Sequence, residues 1–157
     1  MKFYIQQHIF SFGDRFSIYD QNENVCFGVQ GEVFTFGKKL HLYSANGKEL
    51  AFIHQKLFSL LPKYYISVDG NDIAEVVKEF TFFRNEYTVN GLGWKVRGDF
   101  MDHDYSIFSE NRTIAVVSKQ WFSFGDAYEI DVADGIDPAL AISVVLVIDA
   151  CLESQND

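Results

Sequence analysis

Asp137-Pro138-Ala139-Leu140-Ala141-Ile142-Ser143-Val144-Val145-Leu146-Val147-Ile148-Asp149-Ala150-Cys151-Leu152 is unlike anything else in the chain. Asp137 suits an N-cap, where its carboxylate can accept from the orphan amides of a first turn. Pro138 suits the first helical position, where a missing N–H costs nothing. Beyond them only Ser143 and Asp149 are polar, so a helix over residues 137–152 has no wet face. Such a helix is enclosed by protein on every side or immersed in a membrane. A membrane span needs roughly 20 apolar residues. This run is shorter and Asp149 interrupts it, so we read a buried central helix and expect no transmembrane span. The β-branched residues Ile142, Val144, Val145, Val147 and Ile148 would also suit a strand, but the cap and the lack of alternation favour the helix.

Upstream of the helix the chain says nearly the same thing twice. Val29-Gln30-Gly31-Glu32, Leu40-His41-Leu42-Tyr43-Ser44, Ala51-Phe52-Ile53, Leu57-Phe58-Ser59 and Tyr64-Tyr65-Ile66-Ser67-Val68 form the first copy. Val96-Arg97-Gly98-Asp99, Tyr105-Ser106-Ile107-Phe108-Ser109, Ala115-Val116-Val117, Trp121-Phe122-Ser123 and Tyr128-Glu129-Ile130-Asp131-Val132 follow in the same order, at offsets drifting from 67 to 64. Two tandem copies, over about residues 1–70 and 71–135, build one body, so the whole chain 1–157 reads as a single domain.

Short β-branched and aromatic stretches between Gly, Asn and Asp punctuation give each copy six strands. In the first they lie at 3–7, 15–19, 25–35, 39–44, 50–56 and 64–68; in the second at 74–83, 86–89, 93–101, 104–109, 113–120 and 127–132. Leu40 and Leu42 alternate with Lys39, His41 and Tyr43, so one face is buried and one is wet. Asn46-Gly47 is the pair that suits a type I′ hairpin. Twelve strands are too many for one flat sheet, and closure into a barrel also removes exposed edges. The predicted fold is therefore mainly β, a roughly twelve-stranded barrel around a C-terminal hydrophobic helix.

Composition narrows the function. The net charge of −9 and pI near 4.8 oppose binding to a phosphate backbone, which needs Lys and Arg to displace counterions, so no nucleic-acid partner is expected. Residues 1–78 hold 8 basic and 8 acidic side chains, whereas residues 79–157 hold 5 and 14, so the excess lies in the second copy and the helix. That face either solubilises the protein or meets a cation or basic partner. Cys26 and Cys151 are far apart in apolar surroundings, without CxxC spacing, and read as free thiols of a reducing compartment. No apolar signal segment follows Met1, and the expected location is the cytoplasm.

The order of strands, the helix and several motifs resemble the LURP-one-related family, its bacterial YxjI-type members above all. The motifs are Phe10-Ser11-Phe12-Gly13-Asp14-Arg15-Phe16, Lys78-Glu79-Phe80-Thr81-Phe82-Phe83, Gly98-Asp99-Phe100 and Ser118-Lys119-Gln120-Trp121-Phe122-Ser123-Phe124-Gly125-Asp126-Ala127-Tyr128. That family shares its fold with the C-terminal domains of tubby proteins and with phospholipid scramblases. The resemblance implies a barrel threaded by its own helix, with function on the outer surface or at the rim. It also implies a membrane-phospholipid ligand class, although this chain is acidic where tubby-type lipid binding is basic.

No constellation points to catalysis, and no cofactor is expected. Ser11-Phe12-Gly13 and Ser123-Phe124-Gly125 are not G-x-S-x-G elbows, and Gly91-Leu92-Gly93 precedes no helix. Asp126, Glu129, Asp131, Asp134 and Asp137 supply hard oxygens without EF-hand spacing, and Asp137 is explained by capping. Asp102-His103-Asp104 reads as a solvated hairpin, while His8, His41 and His54 stand singly on separate strands, so no metal site is expected. Lys38-Lys39 is the densest basic pair and the candidate surface site. It would meet an anionic headgroup, or else form a solvated turn guarding a strand edge. Phe10, Phe12, Trp121, Phe122 and Phe124 either pack on the helix ends or mark a partner or membrane surface. The expectation is a non-catalytic binding or adaptor module for anionic phospholipid, or alternatively a protein-interaction scaffold using the acidic second half. Sequence does not fix its oligomeric state.

Overall fold

A computed structural model describes residues 1–6, 15–33, 35–80, 85–122 and 125–155. Twelve strands precede one helix: β1 (Lys2–Gln6), β2 (Arg15–Tyr19), β3 (Val25–Gly31), β4 (Lys39–Ser44), β5 (Glu49–Gln55), β6 (Lys63–Val68), β7 (Asn71–Glu79), β8 (Glu86–Asn90), β9 (Trp94–Asp99), β10 (Asp104–Ser109), β11 (Arg112–Phe122), β12 (Gly125–Val132) and α1 (Pro138–Gln155). Each strand pairs antiparallel with its neighbour in sequence, and β1 pairs β12, so the sheet closes. Closure is uneven. Among the described residues β1 meets β12 over five register positions but β2 at one, Tyr4 opposite Tyr19.

The repeat appears as six-strand equivalence. Val29, Leu40, Leu42, Ala51, Ile53, Tyr64 and Ile66 point into the core, as do Val96, Tyr105, Ile107, Ala115, Val117, Tyr128 and Ile130 at matching positions of β9 to β12. The helix runs inside this wall. Ala141 to Ile148 and Ala150 are all but inaccessible, so residues around the full helical turn are covered. Each buried Val, Ile or Leu is worth roughly 1.5–3 kcal/mol, which makes α1 the largest apolar contribution from any one element. Asp137 caps it by accepting from the Ala139 amide at 3.0 Å, and Ser143 donates back to the Ala139 carbonyl at 2.7 Å. Among the described residues no helix is long and apolar enough to cross a membrane.

Several boundaries differ from expectation. β3 stops at Gly31 rather than Thr35, and β9 at Asp99 rather than Met101, because the chain turns there: His103 takes φ of 50° and donates to the Phe100 carbonyl. β7 covers Asn71–Glu79 instead of 74–83, of which 81–83 lie outside the described residues, and α1 continues to Gln155. At Asn46-Gly47 only the glycine has positive φ, 89°, and the pairing slips by one residue between β4 and β5, so this is a bulged turn rather than type I′. Asp69 and Gly70, with φ of 50° and 80°, form the two-residue turn in which both central residues are left-handed.

Because all neighbours are antiparallel, connections alternate between two ends of the barrel. The turn end carries residues 20–24, 45–48, 69–70, 91–93 and 110–111 and the start of α1; the loop end carries the described residues of 32–38, 56–62, 80–85 and 100–103 and the end of α1.

Candidate functional site

With the interior filled by α1, the loop end stands out. Loops 32–38 and 56–62 lie side by side: the Lys38 amide donates to Gln55 Oε1 at 3.0 Å, the Gln55 amide to the Lys38 carbonyl at 2.9 Å, and the Lys56 amide to the Lys63 carbonyl at 2.8 Å. Gly37 makes this approach possible, since a Cβ there would press on Leu57 Cδ2 at 2.9 Å. From this pair of loops Val33, Phe36, Leu57, Phe58 and Leu60 project into solvent, and Phe80, Met101 and Trp121 do so elsewhere at the same end. Phe36 is 88% exposed and Phe58 fully so. Phe58 also has φ of 59°. A bulky residue in that region costs of order 1–3 kcal/mol, so the backbone is strained to present a fully exposed ring.

Charge accompanies these tips. Residues 33–40 and 54–65 contain Lys38, Lys39, Lys56 and Lys63 and no acidic residue. The two lysines singled out in sequence have different surroundings. Lys38 is only 8% exposed; its ammonium donates to the Ala150 carbonyl at 2.9 Å and lies 3.4 Å from Glu153, holding the last turns of the helix. Its neighbour Lys39 is half-buried on the outer wall, in register with His54, and Lys56 is exposed. A solvated turn does not describe Lys38. Trp121 faces solvent, whereas Phe10, Phe12, Phe124, Ser11, Ser123, His8 and the side chains of Phe122 and Asp126 lie outside the described residues.

Behind the loops the helix ends in a polar seat. Tyr64, Tyr87, Tyr105 and Tyr128, from β6, β8, β10 and β12, are buried around its final turns. Tyr128 donates to Asp149, and the other carboxylate oxygen lies 3.4 Å from His103 Nε2, whose ring stacks on Tyr128 at 4.4 Å. His103 is therefore buried, not a solvated hairpin residue, and it and Tyr128 give the Asp149 carboxylate polar neighbours inside the barrel. Burial raises all four tyrosine hydroxyls, and it pushes the Cys151 thiol up to about 11, so these groups stay neutral.

Two histidines expected to stand alone are brought together on the outer wall. In a row across β4, β5 and β6, Tyr43, His41, Phe52, His54 and Tyr65 stack with successive centroid distances of 6.1, 4.8, 5.0 and 5.3 Å. His41 Nδ1 meets Glu49 and its Nε2 meets Glu32 Oε2 at 2.8 Å. Burial alone would lower the His41 pKa, but the two carboxylates outweigh it and the net shift is upward. His54 Nε2 lies 3.2 Å from Ser67 Oγ and 3.1 Å from Asp72. This trio lacks a nucleophile relay, which needs serine and carboxylate on opposite ring nitrogens. Here one nitrogen faces both, and Ser67 donates to Asp72. Non-local register made both clusters, so no local motif could have revealed them.

The acidic run at the helix entrance is dispersed. Glu129 accepts from Tyr4 at 2.9 Å and helps, after burial, to push that hydroxyl up to about 12, while Asp137 caps the helix. Among the described residues no three His, Cys, Asp or Glu side chains converge as metal ligands would.

Comparison with known proteins gives a consistent placement. The family model described as LURP-one-related matches residues 1–149. YxjI of Bacillus subtilis (strain 168) is 35% identical over 157 residues, covering 100% of this chain and 97% of that protein. An Arabidopsis thaliana protein solved by X-ray crystallography superposes with a TM-score of 0.68 at 16% identity, over 94% of this chain and 88% of the other, a likeness of fold.

Proposed function

The chain belongs to the LURP-one-related family, and we propose that it is a non-catalytic binding module that docks on anionic membrane surfaces through loops 32–38 and 56–62. One observation carries this: at the loop end Phe36, Phe58 and Leu60 stand free of the core among lysines, one of them on strained backbone. Side chains of this size gain roughly 1.5–3 kcal/mol on leaving water completely. Each lysine near an anionic leaflet adds about 1 kcal/mol. Lys39 and Lys56 supply that charge, while Lys38 is engaged at the helix end. Filling of the interior by α1 supports an external ligand and argues against an enclosed substrate chamber.

Flotation with neutral and anionic vesicles tests the proposal. Binding is expected on anionic vesicles, weakened by salt, and Phe58→Ser with Leu60→Ser should abolish it without lowering the melting temperature. Absence of binding, or a double variant that floats like the parent, overturns it. The acidic excess in residues 79–157 supports a second reading, a scaffold for a basic protein; salt-sensitive capture of such a protein without vesicle binding would favour it.

A further inference from the structure

The ring row on the outer wall borders a depression of about 460 Å³, displaced from the loops toward the turn end. Leu50, Phe52 and the backbone at Ala51 line it together with the carboxylates Glu49, Asp69 and Asp72. We propose that this depression takes a lysine or arginine side chain from a protein partner, independently of the membrane-docking loops.

Charge and shape select that occupant. Glu32 and Glu49 share the His41 imidazole, Asp72 meets His54 and the Ser67 hydroxyl, and Asp69 adds another anion, so the lining carries three carboxylates and, among the described residues, no lysine or arginine. The carboxylates flank the depression without three of them converging as a metal would require, which fits a cation whose charge is delivered on a long stem. Lysine and arginine combine an aliphatic stem with a charged head; the stem would cover Leu50 and Phe52 while the head reaches Glu49 or Asp72. The volume lies within the range of ordinary binding pockets, roughly 300–1,000 Å³, and accommodates such a side chain with its flanking backbone.

The site is also held in advance. Phe52 is sandwiched between His41 and His54, and His41 is fixed through both ring nitrogens, so little side-chain freedom remains to be lost on binding. Glu49 and Asp72 are nonetheless about half exposed and reachable from outside.

A ¹⁵N chemical-shift titration with a hexa-arginine peptide, without lipid, tests this. The expected shifts concentrate on residues 41, 49–54 and 67–72, with sub-millimolar affinity. Glu49→Gln with Asp72→Asn should weaken binding about tenfold, the effect of losing two ion-pair contacts. Glu110→Gln with Asp134→Asn, an equal charge change on exposed residues at the turn end, should weaken it less than about twofold. Equal losses in the two pairs, shifts spread over the acidic surface, or no binding below about 1 mM overturn the proposal. Because lipid is absent, failure here leaves the vesicle result standing, and the converse also holds.

Discussion

The two ends of the barrel solve the same problem, reversing the chain, by opposite means. At the turn end the reversals are short and polar, held by left-handed glycines and by side chains bonding their own backbone: Asp20 accepts from the amides of Asn22 and Asn24, and Asp69-Gly70 closes a two-residue hairpin. At the loop end the connections are longer, and Phe36, Phe58 and Leu60 are left in water. The first end is built for stability and the second keeps features that stability alone does not explain. That difference, more than any single residue, is what the proposed docking surface rests on.

The largest effect tests the helix that both ends share. Val145→Asp places an unpaired charge in the middle of α1, at a position with no exposure, and costs several kcal/mol of a total near 5–15. We expect no cooperative thermal transition by circular dichroism; a folded, cooperative variant would refute the enclosed helix. Contrast between the ends is sharpened by a pair of substitutions. Gly91→Ala, at φ of 96°, would drive a Cβ into the Ile73 carbonyl and should destabilise by more than about 2 kcal/mol. Phe58→Gly should leave stability unchanged or raise it by up to about 1 kcal/mol, strain relief exceeding the added chain entropy, while vesicle binding falls. Denaturant midpoints decide between these, and equal losses at the two ends would erase the distinction drawn above.

The smallest effect lies on the wall between them. His41 is raised above the usual imidazole value near 6.5 by Glu49 and Glu32 acting against burial. A raised folded value means that the stabilisation is fully present below about pH 6.5 and is lost as pH rises through the folded value. The melting temperature of His41→Gln should therefore fall below the parent's at pH 6 and approach it at pH 9. A gap of the same size at both would show that the carboxylates do not hold a proton on His41.

Much of the fold was legible because its signals are local or periodic. The cap at Asp137, the unbroken apolar run after it and the recurrence of strand patterns are all read along the chain. Asn46-Gly47 misled on turn type because a bulge, set by pairing with β5, changed the loop by one residue. The site was less legible. Lys38 and Lys39 are adjacent and chemically alike, yet one is drawn inward by a carbonyl 112 positions away. His41 and His54 looked solitary since only strand register places Phe52 between them. Which apolar loop residues would pack and which would stay in water depended on how fully α1 had already filled the core.

The pairing of β1 with β12 also constrains how the molecule is made. Lys2 to Gln6 leave the ribosome well before their partners, Ala127 to Asp131, which follow more than a hundred residues later. At 5–20 residues per second that is a wait on the order of ten seconds, during which the strand has an unpaired edge. Its other neighbour, β2, meets it at one position among the described residues. The nascent chain must therefore be kept from pairing with other chains until its last strand and the helix that fills the barrel have both emerged.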